Sequence, residues 1–131
     1  MSRVAAGNIA PSRFVTPSTS ADNKVTQATA GQAVCGISHV GVRNVPGSSL
    51  GLDDGYHAIA GENCGVHEPP ESWVLLELGG TVTRGDYLKS DGSGKGVAAT
   101  TDKDAYGARA LRSGVSGELI PVQVILGYLA A

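Results

Sequence analysis

The 131-residue chain has the length of one domain, a formal net charge of −2 and charged residues at 17% of its positions. Its ten Lys and Arg residues are scattered from Arg3 to Arg112, which excludes the clustered basic field that nucleic-acid binding requires, and no apolar run approaches the ~18 residues of a membrane span. Nineteen glycines, six prolines, one Phe and one Trp describe short strands and tight turns around a lean core, one that invites support from oligomerisation or from a larger surface beneath it.

In chain order, residues 1–17 read as an extended N-terminal arm. The opening "MSRVAAGNIAPSRFV" has no apolar stretch of signal-peptide length, so synthesis and folding in a cytosol are expected. Arg13–Thr16 and Lys24–Thr29 are extended pieces around a Pro/Ser/Asp/Asn turn. Residues 33–42, "AVCGISHVGV", form a further strand, and residues 43–55, "RNVPGSSLGLDDG", are loop by composition. "YHAIAGENCGVHEPPE" holds one or two short strands around Gly61 and Gly65, ended by Pro69-Pro70. In "SWVLLELGG", Val74, Leu76 and Leu78 alternate against Trp73, Leu75 and Glu77, and both faces are expected to be covered.

The stretch "LGGTVTRGDYLKSDGSGKGVAAT", residues 78–100, reads as a hairpin. Asp91-Gly92 and Gly94 are expected to supply left-handed turn positions, with Lys95 returning the chain into a strand. Tyr106–Leu111 is expected as a strand; a helix from Asp102 to Gly114 is opposed by Gly107, which costs about 1 kcal/mol against Ala. In "LIPVQVIL", Ile120, Val122, Val124 and Leu126 share one face at period two. The whole reads as all-β.

The chain also resembles itself. Phe14-Val15, Lys24, Ala28-Thr29 and Gly36 return as Tyr87-Leu88, Lys95, Ala99-Thr100 and Gly107. From the lysine onward the offset is 71 residues, and the turn before the lysine is two residues longer in the first copy. Chance in a Gly/Ala/Thr-rich chain is the competing explanation; a duplication implies two pseudo-repeated β units.

No reactive constellation stands out. A phosphate-binding loop needs a Gly where Lys89 stands and a Ser or Thr where Gly96 stands. Cys35, His39, Cys64 and His67 are ligand types for zinc, but Cys64 and His67 point to opposite strand faces unless Gly65 turns, and 24 residues separate the pairs. Reduced cysteines and a solvated His67 are the plainer reading, and no metal or cofactor is expected. A Gly-x-Ser-x-Gly nucleophile elbow is missing, and the chain reads as no enzyme.

The run "GGTVTRGDYLKSDGSGKG" is similar to the approach to a biotinyl or lipoyl hairpin, yet glycines flank Lys95 where those carriers have Met or an acid and Ala. More of the chain resembles bacteriophage capsid decoration (cement) proteins. "ELGGTVTRGDYLKSDGSGKGVAATTDKDAYGARALRSGVSGELIPVQVIL" looks like their C-terminal half, with a Gly-x-Val-x-x-Gly-Asp-x-Leu hairpin and a closing Gly-Glu-aliphatic strand. "IAPSRFVTPSTSADNKVTQATAGQAVCGIS" resembles their opening, and residues 43–72 match nothing in that group.

The resemblance implies a small β-barrel or β-tulip-like domain with an extended N-terminal arm, a virion protein assembled in the host cytoplasm that binds the outer surface of a major capsid protein shell, often as homotrimers, and braces it. Residues 1–17 would then add a strand to a capsid edge, with Ile9, Arg13 and Phe14 as anchors; a frayed terminus is the alternative. Trp73 is either the largest piece of the core, as Trp usually is, or an interface anchor. A phage tail, fibre or carbohydrate-binding module is the competing function.

Overall fold

The computed structural model describes residues 2–19, 23–40, 57–101 and 103–129. Among them are ten strands and no helix: β1 (Ser2–Ala5), β2 (Phe14–Pro17), β3 (Lys24–Gln27), β4 (Gly36–Ser38), β5 (Asn63–His67), β6 (Val74–Glu77), β7 (Tyr87–Ser90), β8 (Gly96–Ala98), β9 (Ala105–Ala110) and β10 (Leu119–Tyr128). Strands β1–β5 close into a barrel in the order β1-β3-β2-β4-β5, and β6–β10 form a five-stranded sheet in the order β6-β10-β9-β7-β8. The loop expected at residues 43–55 lies outside the described residues.

The two halves follow the same path in the same register. Arg3 pairs with Cys64 as Leu76 pairs with Ile120. Ile37 pairs with His67 as Arg109 pairs with Gln123, and Ser38 with Val66 as Ala110 with Val122. Smaller features repeat too. The isolated bridge Ile9↔Ala58 matches Val82↔Gly114, and the left-handed Ser12 matches the left-handed Gly85. The Glu62 and Glu118 carboxylates each accept from the backbone N–H three residues earlier, at Ile59 and Val115. Register fixes side-chain facing at every position, so this agreement is duplication at the level of the fold.

The sequence match is correct at Phe14/Tyr87 and Lys24/Lys95 but slips by one at the glycines. Gly36 pairs with Val15, whereas Leu88, the counterpart of Val15, pairs with Ala108 rather than Gly107. Between β4 and β5 the offset drops from 72 (Ile37 to Arg109) to 56 (His67 to Gln123), so the first copy carries 16 residues that the second lacks.

One seam distinguishes the halves. The first closes through parallel β1–β3, where Val4 N–H donates to the Asn23 carbonyl and Ala6 N–H to the Val25 carbonyl. In the second, only Gly79 N–H to the Gly96 carbonyl has a counterpart, beside the bridge Leu78↔Gly96. The first half occupies the rest: Glu77 N–H donates to the Ser12 carbonyl (2.9 Å), and Phe14 N–H donates to the Gly94 carbonyl (2.8 Å). Arg13 secures the joint, donating through Nη1 to the Ser93 carbonyl (2.9 Å) and pairing through Nη2 with Glu77 (3.5 Å), which Lys95 also reaches (3.1 Å).

The glycine-rich stretch is therefore a β7–β8 hairpin whose turn docks on the first barrel. Of its turn residues only Gly94 is left-handed (φ +77°), and a Cβ there would lie 3.0 Å from Gln27 Cγ and 3.2 Å from the Phe14 carbonyl oxygen. Both the turn and the close approach require glycine.

Two cores follow from this layout. Ala5, Ile9, Val15, Val25, Cys64 and Val66 fill the first barrel. The second gathers Leu76, Leu78, Leu88, Ile120, Val122 and Val124, and takes Phe14, Ala28 and Ile37 from the first half. Two alternation readings are corrected. Leu126 is 43% exposed because β10 shifts register between Val124 and Gly127, and the Trp73/Leu75 face of β6 is open rather than covered.

Candidate interaction surface

The residues expected to anchor an N-terminal arm are inside the protein. Residues 2–5 form β1, Ile9 and Phe14 are fully buried, and Arg13 holds the joint between halves. Along the described residues 2–17 the chain is part of the fold, not an arm: Ala5 and Ile9 fill positions in the first core that Leu78 and Val82 fill in the second.

Trp73 has the opposite placement. It is 73% exposed with φ +60°, a left-handed conformation that costs a residue with a Cβ roughly 1–2 kcal/mol. It stands at the end of the connection through Pro69 and Pro70 and immediately before β6. Leu75 (38% exposed) lies opposite Pro121 on β10, and Leu119 (41%) lies opposite Glu77. Together these residues give β6 and β10 an open apolar face, the surface composition that marks contact sites.

On the first half, the three histidines gather at the corresponding outer position. The His39 ring lies 4.1 Å from that of His67 and 5.9 Å from that of His57. It packs against Gly65, where a Cβ would sit 2.4 Å from His39 Nδ1. Burial, then the neighbouring His67 and His57, push the His39 pKa below its ordinary value. Gly65 N–H donates to His57 Nε2 (3.0 Å), leaving the ring proton of a neutral His57 on Nδ1, and His67 Nδ1 meets Glu71 Oε2 at 2.6 Å.

The cysteines do not join this cluster. Cys64 is inside the first barrel with Cys35 against it, both are free thiols, and burial pushes the Cys64 pKa up to about 11, far from the thiolate that ligates metal. Among the described residues no group of three or more His, Cys, Asp or Glu side chains is arranged to hold a metal ion.

At the equivalent place on the second half the histidines are gone, and arginines stand beside their counterparts. Arg84, Arg109 and Gln123 line an open cleft of about 230 Å³. By register, Gln123 stands where His67 stands and Arg109 where Ile37 stands. Arg109 is held in place: its Nε donates to the Gly85 carbonyl (3.3 Å), and its guanidinium carbon lies 5.8 Å from the centre of the Tyr87 ring, which in turn stacks on Tyr106 at 4.4 Å. Sequence reading passed over these arginines as scattered charge. The repeat held the signal, because Phe14 becomes Tyr87 and, in register, Ile37 becomes Arg109.

With both halves in place, the fold can be compared with known structures. The chain is similar to the head fibre gp8.5 N base of bacteriophage phi29. The TM-score is 0.59 at 16% identity, over 100% of this chain and 97% of that one, a likeness that establishes a shared fold. No family model matches the chain, and no curated protein does.

Proposed function

We propose that this chain is a non-catalytic structural protein of a phage virion, a base module that sits on the capsid surface in the manner of a head-fibre base. The observation that carries the reading is the end-to-end likeness to the phi29 head-fibre N base, which spans both halves and not only one barrel. The open Trp73–Leu75–Leu119 face supports attachment, since an exposed Trp held at some conformational cost is a feature of contact anchors.

Fibre attachment is favoured over a purely bracing cement role because the matched protein is a fibre base. The finer reading is that bound copies group as trimers on the major capsid protein and also stiffen the lattice; the likeness of residues 77–126 to decoration proteins supports it. In that case many modest contacts add across a symmetric shell.

The test is to add the purified chain to heads of the encoding phage that lack it and to sediment them. Saturable co-sedimentation is expected, and heads that then resist heat better would support bracing as well. A chain that stays in the supernatant, or that is retained on glycans instead, would refute the capsid reading.

A further inference from the structure

The duplication gives one strand face of the second half a counterpart in the first half whose cover is known. In the first half, the register pair Phe14↔Ile37 is buried against the second half. In the second half, the corresponding pair is Tyr87↔Arg109; Arg109 is exposed and Tyr87 half-buried. The same strand face is thus covered in one copy and uncovered in the other, and its chemistry has changed from Phe and Ile to Tyr and Arg.

Charge pairing sets the arginines here apart from Arg3 and Arg13 of the first half, although Lys24 and Lys103 also lack a carboxylate partner among the described residues. Arg3, Arg13, Lys89 and Lys95 each have a carboxylate within 4.0 Å. Arg84, Arg109 and Arg112 have no carboxylate partner among the described residues, although the chain as a whole is acidic. Arg109 is fixed by Tyr87 and the Gly85 carbonyl, and its terminal nitrogens have no partner among the described residues; the cleft between Arg84, Arg109 and Gln123 holds about 230 Å³, room for carboxylate side chains. Planar guanidinium forks pair with carboxylates through two parallel hydrogen bonds, and Tyr and Arg are enriched at interface centres.

We infer that this cleft is a docking site for an acidic protein segment, whose carboxylates pair with Arg84 and Arg109 while its backbone lies against Tyr87. The inference rests on the virion reading in one respect: the segment belongs to the shell protein on which the chain sits.

The experiment has two arms. In the first, wild type, an Arg84→Glu/Arg109→Glu double variant and a Lys103→Glu charge control are sedimented with heads. Both arginines are exposed, and circular dichroism establishes that the variants fold. The double variant is expected to bind about tenfold or more weakly, as loss of charge-paired contacts does, while the control binds like wild type and added salt weakens the wild type. A double variant that binds like wild type overturns the inference and leaves the virion reading standing.

In the second arm, a glutamate-rich peptide is titrated into the free protein. Saturable shifts of the Arg84 and Arg109 side-chain Nε–H signals, absent from the double variant, are expected. If wild type ignores heads yet shows these shifts, the docking site stands and the virion reading falls. No shift with the peptide, binding of a sulfated polysaccharide in its place, or self-association that the double variant abolishes would each overturn an acidic protein segment as the occupant.

Discussion

Replacing Phe14 with alanine removes the ring through which the first barrel enters the core of the second. Phe14 belongs to β2 by its backbone but to the second core by its packing, and it is fully buried. The side of Gly107 lies directly against it: a Cβ there would be 2.8 Å from Phe14 Cε1. Truncating a buried Phe costs about 3–5 kcal/mol, a large share of the roughly 5–15 kcal/mol by which domains are stable. With a urea m-value of about 1–3 kcal/mol/M, the midpoint should fall by roughly 2 M.

The assay is urea denaturation followed both by circular dichroism and by Trp73 fluorescence, the latter reporting on the second half. If the halves are one cooperative unit, both probes move together and to the same midpoint in wild type and variant. A loss below about 1 kcal/mol, within the range of a surface change, would refute the placement of Phe14. So would a Trp73 transition that stays where it was while the dichroism splits in two.

Three further outcomes follow from particular contacts. Gly94→Ala forces a left-handed alanine against Gln27 and the Phe14 carbonyl, and thermal unfolding should show a loss of about 1–2 kcal/mol from the backbone alone. Trp73→Gly relieves a left-handed residue that buries little, so thermal stability should stay level or rise by about 1 kcal/mol while co-sedimentation with heads weakens; a clear loss of stability would place the ring in the fold instead. His39 titrates below its ordinary 6.5 in the folded chain, so acid favours the unfolded state. The stability it contributes is present above that value and is lost as pH falls through the folded-state pKa. Glu71, lowered chiefly by its bond with His67, loses its contribution only below about 4.5. His39→Leu, which copies Leu111 of the second half, should flatten the fall in melting temperature on mild acidification, and an unchanged slope would contradict the assignment.

The strand content was legible because alternation is a local signal. Val74, Leu76 and Leu78, or Ile120, Val122 and Val124, declare a buried face by themselves, and the Gly-rich hairpin and the strand through Tyr106 declare theirs by turn chemistry. The duplication was legible in part, through Phe14/Tyr87 and Lys24/Lys95, but the glycine match slipped by a residue because glycines recur in this chain for unrelated reasons.

What could not be read locally was how the halves meet. Phe14 and Arg13 looked like an exposed aromatic and a cation near a chain end, whereas the Glu77 and Gly94 backbone groups left free at the second seam draw them inward. Trp73 stayed between core and interface for the converse reason: alternation assigns a residue to a face, and only the packing of the two halves decides whether that face is covered. The arginine cleft was invisible as sequence because Arg84, Arg109 and Gln123 come from three separate segments.

The most direct measurement is electron cryo-microscopy of heads decorated with the chain, at a resolution that places its strands. The account predicts density on the outside of the shell, with the apolar face around Trp73 or the arginine cleft in contact with capsid protein and the first barrel turned away from it. Heads that carry no such density, or density in which the first barrel alone makes every contact, would contradict it.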